Sequence, residues 1–252
     1  ERDGVDTSRI KQLEGYTTGA AFVTYFEDGS RKFIYHLARA ATGQIHPGDV
    51  DPACLEGVSY LHVVGSTMFI NRHSAEACTR AARMVREGGG SVSFDPNFRP
   101  ELLTEEMMQE LFGPLLRQAR VVFPTVQELG ALTGLRVGSG SPGGDAVARA
   151  CDRLLDLGPG IVALKQGAEG CSVYTREDRF HLPAFQVQEV DPTGAGDCFC
   201  AGFLTGLLRG MDVRGAARLA NAVGALSVTK KGPMEGAPSW DEVTAFLERR
   251  PG

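Results

Sequence analysis

The chain has 252 residues, of which 42% are hydrophobic and 23% charged, and its formal charge is −5. That suffices for one of the larger α/β domains, or two small ones, around an ordinary core. The basic residues are scattered, with no Lys/Arg stripe to mark a nucleic-acid surface, and the most apolar stretch, 199–208, is far shorter than the ~20 residues a bilayer span needs.

The opening Glu1-Arg-Asp-Gly-Val-Asp-Thr-Ser lacks a starting Met and reads as the end of a helix running into a loop, so upstream residues are expected. Nothing in it resembles a signal peptide. Residues 19–37 alternate and are rich in β-formers, with Asp28-Gly29 between two such runs, which predicts a hairpin. From there the rhythm changes. Short apolar runs at 60–64, 91–94, 121–123 and 161–164 are separated by helical patterns at 74–87, 126–133 and 146–157. Strands alternating with helices predict βαβ units and a mostly parallel sheet.

Polar clusters directly follow three of those strands: Asp95-Pro-Asn97-Phe-Arg99, Pro124-Thr125-Val-Gln-Glu128 and Lys165-Gln-Gly167. Ligands of open α/β sheets sit at the carboxyl ends of strands, so the three are expected to converge on one crevice. The Gly/Ser-rich stretch 138–144 reads as a surface loop within a continuing βα rhythm. Six cysteines without framework spacing read as small buried hydrophobes in a reducing, cytoplasmic compartment, and Cys198-Phe-Cys200 as helix packing rather than a metal site.

Val190-Asp191-Pro192-Thr193-Gly194-Ala195-Gly196-Asp197 then leads into a helix apolar on nearly all sides, and so buried. Tiny residues at 194–196 let backbone N–H groups approach a ligand, and first-turn amides lack partners within the helix. With the helix dipole they make an anion hole suited to a transferring phosphoryl group. Asp197, beside that hole, is held as the anion and can take a proton from an attacking hydroxyl. The competing reading makes Asp191 and Asp197 ordinary capping acids and the glycines packing devices. Lys165 is either a point charge for phosphates or a solvated strand-end lysine. Glu128 could simply favour a helix dipole, and Asn221, inside an apolar helix, needs either a ligand or a backbone carbonyl.

Asp191-Pro-Thr-Gly-Ala-Gly-Asp197 resembles the signature of the ribokinase-like, or PfkB, carbohydrate kinase family, and the likeness extends over nearly the whole chain. It implies a ribokinase-like three-layer α/β sandwich with a mostly parallel central sheet and a small β lid. The chain then reads as one domain, 1–252, with the lid at about 15–39 and the core at about 40–252. Asp197 matches the family's catalytic base, and Gly194, Ala195 and Gly196 its anion hole. Asn97, Lys165, Gly167, Gly170, Thr193 and Asn221 match nucleotide-binding positions. Glu128 matches the acid that orders water around Mg2+, although Thr125 stands where the family usually has Asn. Asp191, Ser227, Lys230 and Gly232 resemble loops that hold a monovalent cation, K+, mostly through carbonyls. ATP and Mg2+ are the implied cofactors.

Phe94-Asp-Pro-Asn97-Phe-Arg99-Pro-Glu looks most like the 2-keto-3-deoxygluconate kinase branch, in which the Arg approaches an acidic sugar. A guanidinium grips a carboxylate in two places; the competing reading is a surface salt bridge of Arg99 with Glu101 or a neighbour. That branch tends to carry Tyr-Tyr-Arg where this chain has Tyr35-His36-Leu37, so a neutral hexose or polyol stays open, with Tyr35 and Arg99 as acceptor-binding residues. Family members also begin with a strand bearing a sugar-binding Asp and a Gly-Gly stretch, neither of which occurs here. The rival readings are a nucleoside or vitamin kinase of the same fold and a nucleotide-binding regulator without turnover. The partners expected are a small sugar or sugar acid and a second copy through the lid, with no nucleic acid and no membrane.

Overall fold

The computed structural model describes residues 3–26, 31–98, 104–137 and 144–250. The predicted turn at Asp28-Gly29, most of the 138–144 loop and Arg99 lie outside them. Two strands, β1 (Ala20–Tyr25) and β2 (Arg31–His36), form a separate antiparallel sheet, with Phe22 opposite Ile34 and Ala21 opposite Tyr35. The core follows as β3 (Tyr60–Val64), α1 (Gly65–Met68), α2 (Arg72–Glu87), β4 (Ser91–Asp95), α3 (Glu105–Leu116), β5 (Ala119–Val122), α4 (Val126–Thr133), α5 (Asp145–Asp156) and β6 (Ile161–Lys165). The chain then runs through β7 (Cys171–Tyr174), β8 (Arg179–Leu182), α6 (Ala195–Leu208), α7 (Val213–Ser227) and α8 (Trp240–Glu248).

The six core strands lie in the order β3-β4-β5-β6-β7-β8, parallel from β3 to β6 and antiparallel thereafter. Strands added one after another in one direction, through crossovers of one hand, put all their helices on the same face. So α2 to α5 share a face, which leaves the other to α6 and α7. The strand side chains alternate accordingly. Val162 and Leu164 pack with Phe112, Leu129 and Leu154, whereas Ile161 and Ala163 pack with Phe199, Phe203 and Ala217. The result is the expected three-layer α/β arrangement.

The predicted strands and helices are all present, within a few residues at their ends. Helix α4 starts at a reciprocal cap, in which the Thr125 hydroxyl takes the Glu128 N–H and the Glu128 carboxylate takes the Thr125 N–H. The hairpin β7–β8 goes unpredicted, since its strands are only four residues long and the polar Thr175-Arg-Glu-Asp178 between them reads as loop.

Candidate active site

Helix α6 begins at Gly194, whose backbone is left-handed (φ 83°). A Cβ there would lie 2.7 Å from the Pro233 carbonyl oxygen, so both conformation and space require glycine. The Ala195 N–H bonds back to the Pro192 carbonyl at 3.2 Å, and the Cys198 N–H closes the first turn onto Gly194 at 2.9 Å. Asp197 stands exposed in that turn, while Phe199, Cys200 and Phe203 are buried. The predicted burial of the helix thus holds on the face toward the sheet. Its start, with Asp197, faces solvent.

The entry to α6 is anchored by Asp191. One carboxylate oxygen accepts the Thr193 N–H (3.0 Å) and the other the Gly232 N–H (2.9 Å), while the Val190 and Asp191 N–H groups both donate to the Val228 carbonyl. The hydroxyl and N–H of Thr193, followed by the Gly232 N–H, lower the Asp191 pKa to about 2. Ser227 is buried and donates its hydroxyl to the Gly224 carbonyl. Asp191, Ser227 and Gly232 therefore lie on segments that are tied together. The Lys230 ammonium instead sits 3.9 Å from Glu242, leaving only its backbone for a cation.

A cleft of about 230 Å³ opens beside the start of α6. Lys165, Gly167, Gly170, Ala195, Gly196 and Asn221 line it, and Phe185, Val187, Phe199 and Val228 give it an apolar wall. Gly167 and Gly170 are both left-handed (φ 58° and 97°), and a Cβ on Gly170 would come within 2.1 Å of the Leu182 carbonyl oxygen. Asn221 meets its predicted need through backbone: its Nδ2 donates to the Leu182 and Pro183 carbonyls, each at 3.1 Å. It holds the segment after β8 against α7 and still lines the cleft.

The carboxyl ends of β4, β5 and β6 converge, as expected. Lys165 Nζ lies 2.6 Å from Asp95 Oδ2, with 13% of the lysine side chain and 1% of the aspartate exposed. The same Asp95 oxygen accepts a 3.5 Å contact from Cys200 Sγ, and Oδ1 accepts the Asn97 N–H at 3.1 Å. Asn97 is the one described residue other than glycine with a positive φ, 42°. Burial pulls the Lys165 pKa down, but the acidic groups of Cys200, Asp95 and Glu128 outweigh it, so the ammonium is held above its usual range. His62 on β3, hydrogen-bonded to Ser93 at 2.9 Å, is pushed down by burial.

Glu128 is buried, and its two oxygens accept the Phe98 N–H and the Thr125 N–H, each at 2.7 Å. The carboxylate therefore ties β4's exit to α4, and each oxygen keeps a lone pair. Tyr35 lies half-buried in the two-stranded sheet, and Thr193 is exposed beside α6. Among the described residues, no group of three or more His, Cys, Asp or Glu is arranged to hold a metal by itself. No helix of the described residues is long and apolar enough to cross a membrane.

Sequence reasoning placed Asp95 in a strand-end cluster but did not pair it with Lys165, though both end strands whose alternation turns them toward α6. It also missed the apolar wall at Phe185 and Val187, which lies in an irregular segment without periodicity.

Known proteins resemble this chain in sequence and fold. An aminoimidazole riboside kinase of Salmonella typhimurium is 34% identical, over 97% of this chain and 75% of its own length. A 2-dehydro-3-deoxygluconokinase of Bacillus subtilis is 29% identical, over 98% of this chain and 74% of its own. Among solved structures, an Escherichia coli chain described as Ribokinase II, in complex with ATP and Mg2+, superimposes with a TM-score of 0.83 at 36% identity, covering 94% of this chain and 73% of that one. The model of the pfkB family carbohydrate kinases matches residues 1–240, and the chain belongs to that family: it is a carbohydrate kinase with the ribokinase-like fold.

Proposed function

We propose that the chain transfers the γ-phosphoryl group of ATP to a hydroxyl of a small sugar or sugar acid, with 2-keto-3-deoxygluconate favoured, and that Asp197 is the general base. The start of α6 carries this reading: a left-handed Gly194, small residues at 195 and 196, and an exposed carboxylate at 197, beside a cleft lined by Lys165 and Asn221. Asp197 accepts the proton as the acceptor oxygen bonds to phosphorus and the bond to the diphosphate leaving group breaks. The amides of 194–197 and the helix dipole hold the negative charge that develops on the phosphoryl oxygens. ATP is the phosphoryl donor; Mg2+, when bound with it, would neutralise charge on the phosphates, and Glu128 is the residue that would order water around the ion. Gly167, Gly170 and Asn221 shape the nucleotide cleft, and Asn97, Thr193 and Lys165 approach its phosphates. Arg99 and Tyr35 orient the acceptor. Carbonyls near Asp191, Ser227, Lys230 and Gly232 would hold K+, and replacing K+ by Na+ should then lower turnover.

The acid is favoured on the 94–101 motif, where Arg99 would pair with a carboxylate. A riboside acceptor is the second reading, because the relative with 34% identity takes one. The β1–β2 sheet is assigned as a lid over the acceptor that also pairs with a second copy, and Phe22 and Ile34, 64% and 63% exposed, support that assignment.

The test is ADP release across a panel of sugars, sugar acids and ribosides. One acceptor should stimulate the wild type, and Asp197→Ala should lose at least a hundredfold in kcat with ATP binding kept. A variant as fast as its parent removes Asp197 from the chemistry, and ADP release that no acceptor accelerates leaves the regulator.

A further inference from the structure

We infer that Asp95 is a positioning residue for the phosphoryl transfer: it fixes the Lys165 ammonium against the first turn of α6, where the transferred group is held. The inference rests on the kinase reading above and extends it to a residue that touches neither nucleotide nor acceptor.

Alternation along β4 and β6 turns Asp95 and Lys165 to the α6 side of the sheet, as it does Ser93 and Ala163. The two residues end strands that are separated by β5, so the pair bridges over that strand at the carboxyl edge. Asp95 is 1% exposed, and both its oxygens are engaged. Oδ1 takes the Asn97 N–H, while Oδ2 takes Lys165 Nζ at 2.6 Å and faces Cys200 Sγ at 3.5 Å. One carboxylate thus joins the exit of β4, the end of β6 and the underside of α6.

Lys165 Nζ is correspondingly constrained. A Cβ built on Gly196 would lie 3.6 Å from it, so the ammonium sits beside the amides that open α6. A lysine side chain in water is a flexible point charge, and confining one without a partner costs both entropy and solvation. Asp95 offsets that cost with one charge-assisted bond and leaves two ammonium N–H groups for phosphoryl oxygens. Glu128 and Cys200 also face Lys165, and His62 lies across Asp95. None of the three is hydrogen-bonded to the ammonium among the described contacts, so none replaces Asp95.

The experiment uses the full chain and reads ADP release with the best acceptor, for Asp95→Asn, Lys165→Gln and the double variant. Asp95→Asn should lower kcat tenfold or more while changing the KM for ATP less. Without the carboxylate one of the groups that oppose burial is lost, so Lys165 gives up its proton at lower pH than in the wild type. The alkaline limb of the rate should therefore move to lower pH in Asp95→Asn. If Asp95 acts through Lys165, the double variant matches Lys165→Gln within threefold. An Asp95→Asn enzyme within tenfold of wild type overturns the proposal, as does a double variant more than threefold below Lys165→Gln. The double variant leaves neither member of this pair charged and unpaired, so should either single variant not fold, a double variant within tenfold of wild type overturns the proposal. Asp197→Ala in the same assay separates the two ideas: loss there with wild-type rates in Asp95→Asn sinks the positioning role alone, and retained turnover in Asp197→Ala sinks the kinase reading beneath it.

Discussion

Gly194 and Gly196 stand two apart in one motif and answer to different demands. Gly194 is left-handed, with the Pro233 carbonyl where a methyl would go, so Gly194→Ala should cost about 2 kcal/mol and lower Tm by several degrees. Gly196 is helical, and its added Cβ would make only ordinary contact with Lys165 Nζ. Alanine in a helix is better than glycine by roughly 0.5–1 kcal/mol, so Gly196→Ala should melt no lower than wild type. The methyl would still stand between the ammonium and the amides, and kcat should fall about tenfold or more. Melting curves and initial rates on the two variants check the contrast; equal effects on stability would contradict it. Asp191 adds a pH signature. Its folded pKa is lowered from 3.8 to about 2, so its contribution to stability is present above 3.8 and lost as pH falls toward 2. Asp191→Asn should flatten that acid limb in a melting series between pH 5 and 2.

At the scale of elements, α6 and α7 approach through glycine. A Cβ on Gly206 would lie 2.7 Å from Ala216 Cα, and one on Gly202 3.0 Å from Ala220 Cα. Gly206→Ala should push α7 outward, cost about 1–3 kcal/mol and, because α7 carries Asn221, raise the KM for ATP. Thermal melts with and without ATP test this: the nucleotide should protect the variant less than the wild type. The sequence made the parallel strands legible because both their faces are buried, which gives continuous apolar runs such as Ile161-Val-Ala-Leu164. Helix α6 was legible through its motif. What stayed hidden depends on contacts distant in sequence. Asp95 matters through a lysine 70 residues away, Glu128 holds Phe98 across 30 residues, and Asn221 bonds to carbonyls of Leu182 and Pro183. No local pattern encodes those pairings.

At the scale of the molecule, the β1–β2 sheet is the part with least of its own to stand on. A two-stranded hairpin is at best marginally stable in water, and this one turns Phe22 and Ile34 outward as cross-strand neighbours. Pairing of two copies would cover both. Light scattering at micromolar concentration should give a dimer for the wild type and a monomer for Phe22→Asp, whereas a monomeric wild type would end the lid-mediated assembly.

The larger sheet carries a different consequence. Its spatial order repeats its chain order, each strand from β4 to β8 docking on the one made just before it. During synthesis a new strand therefore always finds its neighbour already waiting, and no gap has to be held open for a later segment. The helix bearing Asp197 comes after all six strands, so the chemistry is completed only once the platform beneath it exists.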